Sequence, residues 1–341
     1  MTASRFSGRQ ELYGSLGIAF AAATWGAYWI PLRHIDGLGL HSTWATFSTV
    51  FLATIVLLPL QAVRWRRLVR GGWALWLPGL IGGTAFILYS NAYAYTTILN
   101  VQFLFYLSPV WSTLLARAFL DEPITGVRIF SILVAFIGLA VMLGGGGQWP
   151  IPRTTGDWMT LGSGALWSIT TVILRKYQGP KASQLASDRA APGAIENTFL
   201  FFAGGMIGAS VLPFLLLDDP IGTLPSVERF EMFWPWLVGM ALLWWVPTQF
   251  MLMWGVPRVS PGRVGLLLMT EAVFGSITAA LFSDEPFGWR QIVGGGLILF
   301  GAVADSIAEM RRGVSAKRDP TNQPWPNRTD GHDVSLGRLQ P

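Results

Sequence analysis

The sequence predicts an all-α integral membrane protein: ten transmembrane helices arranged as two inverted five-helix repeats. Three observations predict it. Charged residues make up 13% of the 341 residues and hydrophobic ones 52%, against the roughly 25% charge of a soluble globular chain; so few charges could not cover a soluble surface. Apolar runs long enough for a ~30 Å hydrocarbon core, about 20 residues each, recur along the chain. Finally, the second half of the chain repeats positions of the first. The mean hydropathy of +0.45 also excludes disorder and fibrous repeats.

Residues 1–11 form a short cytoplasmic N-terminus. The first span, Leu12–Leu32, begins after Glu11 without the cationic n-region and short apolar stretch ending in a cleavage site that mark a signal peptide, and reads as a retained helix. Thr43–Val63 and Trp73–Tyr95 are free of charge, and Leu99–Phe119 and Val127–Leu143 carry one Arg each near an end. These complete a first repeat over 12–145. An outer linker, 146–156, follows the run Gly144–Gly147; no Gly-Lys-Ser/Thr comes after that run, so it is no phosphate loop. Asp157–Lys176, Thr198–Leu217, Trp234–Gly255, Pro261–Leu281 and Trp289–Ala308 make the second repeat, 157–309, and residues 310–341 a polar, disordered cytoplasmic tail. The runs are apolar on both parities, whereas barrel strands alternate.

Orientation follows from basic residues near the span ends. With the N-terminus inside, 20 of the 24 Lys and Arg fall on inner segments, leaving Arg33, Arg153, Arg229 and Arg290 outside. Both termini are thus expected in the cytoplasm of a multi-pass protein of the cell inner (plasma) membrane. The net charge of +5 then reports topology, with the inner-loop cations meeting anionic lipid, and no nucleic-acid partner is expected. There is no Cys, and His34, His41 and His332 are scattered, so no metal site or cofactor is expected.

The repeat is visible residue by residue. Phe119-Leu-Asp-Glu-Pro123 recurs as Phe282-Ser-Asp-Glu-Pro286, an offset of 163 that also pairs Val110 with Val273, Ile129 with Ile292 and Gly138 with Gly301. Earlier the offset is 142, pairing Gly14 with Gly156, Trp25 with Trp167 and Arg33 with Arg175; between them, at 154, Phe47 meets Phe201 and Pro59 meets Pro213. Five spans is an odd number, so the second copy enters the membrane inverted. Inverted repeats are a transporter signature, with the substrate site near the midplane between them.

These motifs carry a resemblance. Trp25-Gly26, Tyr93-Ala94-Tyr95-Thr96, Leu107-Ser108-Pro109-Val110, Leu120-Asp121-Glu122-Pro123 and Gly138 resemble the drug/metabolite transporter superfamily, in its EamA-like ten-helix branch, over about residues 12–309. Glu271-Ala272-Val273 stands where that family often has Glu-Pro-Val, which leaves a kink in span 9 without its proline. The resemblance implies transport through a cavity lined mainly by the first, third and fourth spans of each repeat.

Among the acids, Glu271 alone lies at mid-depth, ten residues past Pro261 and so roughly 15 Å along its helix. A charge there costs at least ~2.5 kcal/mol. Its repeat mate is Ser108. Three readings stay open: a titrating group that couples protons to transport, a counter-charge for a cationic or zwitterionic substrate, or a protonated carboxyl bonding a neighbouring helix. Trp25, Tyr28, Tyr89, Tyr93, Trp111, Trp167, Trp244 and Trp245, with Asn91, Ser108 and Gln249 as polar neighbours, are the other substrate-binding candidates; aromatic faces attract ammonium groups. Arg33 and Arg175, matched by the repeat, read as gates or as snorkelling cations. Glu122 and Glu285 of the Asp-Glu-Pro turns read as gating or structural residues. Gly79/Gly83 and Gly204/Gly208 have the spacing of close helix packing.

The expected function is a secondary active transporter, in the direction of export or exchange, of small amphipathic metabolites. Amino acids or organic amines such as quaternary ammonium compounds would be the substrates, moved by alternating access as a monomer or homodimer. The alternative is a flippase of a lipid or lipid-linked headgroup. An enzyme is not expected, because Glu271 has no second acid–base residue near it in sequence.

Overall fold

The computed structural model describes residues 8–40, 42–93, 95–143, 151–179, 193–216, 227–282 and 287–318, and these are helical with short connections. In chain order the helices are α1 (Gly8–Gly26), α2 (Trp29–Gly37), α3 (Ser42–Val63), α4 (Trp65–Gly71), α5 (Trp73–Ala92), α6 (Ile98–Phe105), α7 (Ser108–Leu120) and α8 (Gly126–Met142). Then come α9 (Thr155–Gln178), α10 (Ala194–Leu216), α11 (Val227–Gly239), a π-helical turn (Met240–Trp245), α12 (Val246–Gly255), a 3₁₀ turn (Val256–Arg258), α13 (Pro261–Leu268), α14 (Thr270–Phe282) and α15 (Trp289–Arg318). The protein is a multi-pass membrane protein: seven stretches among the described residues are long and apolar enough to cross a bilayer.

Several expected spans are interrupted helices. The first breaks between α1 and α2, the fourth between α6 and α7, the eighth at the π-helical turn and the ninth between α13 and α14. In hydrocarbon, freed backbone groups are tolerated only where protein or a cavity covers them, so these breaks mark the interior. Three of the ten expected spans are not among the seven stretches: the first, which breaks after Gly26; the fifth, where α8 is an apolar helix of 17 residues; and the sixth, α9. Its apolar density is diluted by Thr160, Ser163, Ser168, Thr170 and Thr171, all buried. Ser163 donates to the carbonyl of Ala85 at 2.6 Å and Ser168 to that of Ser108 at 3.0 Å. α9 is therefore an inner helix that meets α5, α6 and α7 through small polar residues.

Packing partners fall into matched sets at the offsets noted above. α8 packs on α15 and α10 on α3, each joining helices that correspond at those offsets, and α13 on α7 joins opposite parts of the fourth and ninth spans. α5 on α9 is matched by α12 on α1, and α7 on α9 by α14 on α1. Glycines set the closest of these contacts. A Cβ on Gly26 would lie 2.5 Å from the Glu271 carbonyl oxygen, and one on Gly138 2.5 Å from that of Gly294. Gly79, Gly83 and Gly204 likewise leave no room for a methyl between α5 and α10, as their spacing predicts, whereas a Cβ on Gly208 would sit 3.4 Å from Thr84, an ordinary contact.

The Asp-Glu-Pro turn after α7 has a local cause. Asp121 adopts the left-handed conformation, φ 55°, and its N–H returns to the Ala116 carbonyl; Asp tolerates that region, and Pro123 prevents the helix from continuing. The second copy of the turn, with Glu285, lies outside the described residues, as does the tail from 319. α15 itself runs on to Arg318, beyond the expected span end at Ala308. Glu309, Met310, Arg311, Arg312, Ala316, Lys317 and Arg318 are good helix formers, which is why the polar composition there does not stop the helix.

Candidate functional site

Glu271 is the second residue of α14, immediately after the break that ends α13 at Leu268. The matching break ends α6 at Phe105, 163 positions earlier, and Ser108, the repeat mate of Glu271, opens α7. In the first copy Pro109 explains the break, since it removes an N–H. The second copy has Ala272 there, and the helix breaks without a proline. Met269 closes α13 by donating to the Gly265 carbonyl, and Thr270 turns its hydroxyl back to the Leu267 carbonyl at 2.7 Å. The break places Glu271 in the first turn of α14, where the helix dipole favours an anion.

The carboxyl is 8% exposed. Its Oε1 accepts from the Tyr89 hydroxyl at 3.3 Å, and Tyr89 in turn accepts from the Tyr93 hydroxyl at 2.8 Å. Tyr89 is 7% exposed and Tyr93 38%, so the three form a hydrogen-bonded chain from a partly exposed residue to the buried acid. Oε2 has no partner among the described residues. The Tyr106 hydroxyl also faces this carboxyl, outside hydrogen-bond geometry.

Next to this chain lies a cluster of rings. Trp245, in the π-helical turn, contacts Tyr28 at 4.8 Å, Phe86 at 4.7 Å and Trp25 at 5.9 Å between centroids. Phe86 reaches Phe201, which reaches Trp167. Phe86 and Tyr89 share a face of α5, three residues apart. Gly26 lies directly against Glu271, so the residue after Trp25 touches the acid's own turn. π-helical turns recur at functional sites because they add a residue and re-aim side chains; here the turn carries both Trp244 and Trp245.

The polar ends of this set are unpaired. Among the described residues, the indole nitrogens of Trp25, Trp167, Trp244 and Trp245, both amide atoms of Gln249, and the hydroxyls of Tyr106 and Ser108 are buried without a partner in hydrogen-bond geometry; the Trp245 nitrogen faces the Tyr28 hydroxyl, as the Tyr106 hydroxyl faces Glu271. Most buried polar groups in proteins are hydrogen-bonded, and each orphan costs about 1–3 kcal/mol. They sit on α1, α9, the π-helical turn and α12, and at the break before α7.

Other expected residues lie elsewhere. Trp111 is 38% exposed and outside the ring cluster. Asn91 is buried but returns its amide to the Ile87 carbonyl of its own helix at 3.0 Å. Trp244 has no ring contact with the cluster among those seen. Arg33 is exposed on α2. Phe86 and Tyr106 belong to the site without having been singled out. The spacing of Phe86 from Tyr89, and the place of Tyr106 beside Leu107-Ser108-Pro109, are the signals that would have found them.

Two polar junctions close the ends of the bundle. At one end, Arg128 bonds Asp305 at 2.6 Å and Glu309 at 2.7 Å, and Arg263 bonds Glu309 at 3.1 Å. Ser260 donates to Glu309 at 2.8 Å, and Arg263 reaches Ser15 at 3.3 Å. Arg175 joins the same end, pairing with Glu122 at 3.3 Å and bonding the Pro257 carbonyl at 3.1 Å. At the other end, Asp157 accepts from Thr96, Asn100 and the backbone N–H groups of Arg153 and Thr154. The junctions correspond: Ser15 is the mate of Asp157 at offset 142, and Asn100 that of Arg263 at offset 163. One is built on ion pairs and the other on neutral donors. Arg64 too has an acid partner, Glu196 at 2.7 Å. These inner-segment arginines, expected to meet anionic lipid, face carboxylates instead, because the acids of neighbouring helices share their depth.

Two stretches of the chain, residues 12–144 and 154–304, match the EamA-like transporter family. A protein of Archaeoglobus fulgidus described as an uncharacterized transporter is 23% identical over 295 residues, covering 85% of this chain and 95% of that one. A solved structure, titled only as the crystal structure of a protein, is similar with a TM-score of 0.64 over 88% of this chain and 98% of that chain, at 17% identity. At that identity the likeness shows the fold alone.

Proposed function

The chain belongs to the EamA-like transporter family, and from that premise we propose a secondary active transporter that moves small zwitterionic metabolites, amino acids above all, by alternating access between two inverted five-helix repeats. The two family matches, the paired helix contacts and the breaks in register at 163 positions support the repeat. The distribution of Lys and Arg supports cytoplasmic termini in the inner (plasma) membrane.

The unpaired polar set carries the substrate reading. Indole N–H groups only donate, while the free Glu271 Oε2 accepts. A zwitterion supplies both complements: a carboxylate for the Trp25, Trp167 and Trp245 donors and an ammonium for Glu271, with ring faces beside the cation. A quaternary ammonium neither donates nor accepts, so it would leave the indoles unpaired and lose the 1–3 kcal/mol or so that each pairing returns. The burial of Glu271 and Trp245 away from the lipid-facing surface weighs against a flippase. The Tyr93–Tyr89–Glu271 chain favours proton coupling, because it links the site acid through two hydroxyls to a residue that is partly exposed.

The test is counterflow in proteoliposomes loaded with unlabelled solute. Amino acids are expected to trans-stimulate uptake, and choline and neutral sugars are not. Glu271→Gln is expected to abolish amino-acid exchange. Exchange unchanged in that variant at every pH, or choline exchanged as well as amino acids, would overturn the reading.

A further inference from the structure

A cleft of about 460 Å³ lies beside the α8–α15 contact, lined by Val127, Phe300, Val303, Ala304, Ile307 and Ala308 and closed at one end by Arg311 and Arg312. We propose that it holds one anionic phospholipid of the cytoplasmic leaflet, with an acyl chain along the apolar wall and the phosphate against the two guanidinium groups.

Depth supports this occupant. Trp289, at the start of α15, is 66% exposed, as befits an interfacial tryptophan. Arg311 follows 22 residues later, roughly 33 Å along the helix, which matches the ~30 Å hydrocarbon core. The apolar wall therefore lies within the acyl region and Arg311 at the opposite headgroups. Phe300, Val303 and Ile307 are each more than two-fifths exposed and follow one another at helical spacing, so they form one outward-facing stripe. The ends of the groove thus differ: aliphatic and aromatic carbon along its length, two cations at one mouth.

Charge supports it further. Arg64, Arg128, Arg175 and Arg263 all pair with carboxylates. Arg311 and Arg312 have no ion pair among the described residues. Lys317 and Arg318 follow on the same helix, making four cations directly beyond the span, the pattern that attracts anionic lipid. Arg suits a phosphate because its planar donors bind two oxygens at once. The leaflet, though not the cleft, rests on the proposed orientation.

Native mass spectrometry of the purified full chain, offered phosphatidylglycerol and phosphatidylcholine in equal amounts, tests the proposal. Wild type is expected to retain one phosphatidylglycerol selectively. Arg311→Gln with Arg312→Gln is expected to lower that retention by roughly thirty-fold (about 2 kcal/mol, at about 1 per cation). Ile307→Trp, which fills the cleft and leaves both charges, is expected to lower retention of both lipids. Equal retention of the two lipids by wild type, retention unchanged in the Gln variant, or a dimer that Ile307→Trp dissociates would overturn it; the last would mean that a second copy covers this face. The chain has no Cys, so Ser335→Cys gives a unique label for the tail, and labelling from outside alone would overturn the leaflet assignment. Lipid retention is read without transport, so it stands or falls apart from counterflow.

Discussion

Arg128→Gln should be among the most damaging single changes outside the substrate site, and its partner should rescue it. Asp305 is 3% exposed, and its Oδ1 accepts from Arg128 Nε at 2.6 Å, while Oδ2 has no partner among the described residues. Glu309, the other acid on Arg128, keeps Arg263 at 3.1 Å and Ser260 at 2.8 Å when Arg128 is lost. The damage therefore falls on Asp305, left as a buried charge without a counter-ion, a condition that costs about 3–5 kcal/mol. Adding Asp305→Asn removes that charge. The double variant then lacks both members of the pair and should recover about 2–3 kcal/mol of the loss; with the Asp305→Asn single variant, this gives the coupling energy of the cycle.

The assay is unfolding of the four proteins of the cycle in mixed micelles titrated with a denaturing detergent, followed by tryptophan fluorescence. Two results would refute the reasoning. If Arg128→Gln costs less than about 1 kcal/mol, Asp305 is not held as a charge by this arginine. If the double variant is as unstable as the single, the loss comes from the vacated guanidinium volume and not from an orphaned carboxylate. Gly262 makes the second outcome a fair challenge, because a Cβ there would collide with the Arg128 guanidinium, so the side chain fills a tight space.

Trp245→Phe keeps a ring against Tyr28 and Phe86 but removes an indole N–H; it should weaken amino-acid binding roughly five- to ten-fold, in line with a lost hydrogen bond of about 1 kcal/mol, and isothermal titration with the preferred amino acid and its methyl ester reads the difference. The ester should bind wild type and variant alike if the indole serves the carboxylate. Gly26→Ala places a methyl against the Glu271 backbone and should destabilise by about 1–3 kcal/mol, seen as a lower thermal midpoint, together with a loss of transport out of proportion to the amount folded. Glu122→Gln should loosen the tie from Arg175 while leaving its bond to the Pro257 carbonyl; a single Cys introduced at Val259 should then react faster with a small thiol reagent, and an unchanged rate would count against a gating role.

The segments that the sequence predicts as spans are helices in the structure, because apolar length is a one-dimensional quantity. Interruptions within them are not legible in the same way. The break before α7 announces itself through Pro109, whereas the one before Glu271 depends on Thr270 folding its hydroxyl onto the preceding turn and on α1 crowding Gly26 against that turn. Neither cause lies in the local pattern. The same contrast holds in the site. Glu271 is legible in the sequence as a mid-depth acid, and Tyr89 and Tyr93 as a pair on one helix face by their spacing of four. Phe86 and Tyr106 were missed because their roles depend on which face of α5 meets the π-helical turn, and a π-helical turn has no hydropathy signature. Trp111 shows the opposite failure: mid-depth tryptophans can face lipid as well as a cavity, and here the structure leaves it exposed.

The two broken helices share a register but not a chemistry, and that asymmetry bears on mechanism. Ser108 and Glu271 hold matching places at the starts of α7 and α14, yet only one is ionisable. The junctions at the ends differ in the same sense, with arginines and acids around Ser15 and Arg263 and neutral donors around Asp157. If the repeats exchanged conformations as equivalent halves, the two end states would differ in energy by whatever these substitutions cost, since the backbone terms would cancel. Opening the arginine end separates ion pairs buried among helices, and opening the other end exposes one carboxylate that water can solvate as well as Thr96 and Asn100 do. The resting protein should therefore favour closure at the arginine end. A substrate that lifts that preference must bring its own charges to Glu271, which is a reason for a zwitterion to drive the cycle where a neutral solute of the same size would not.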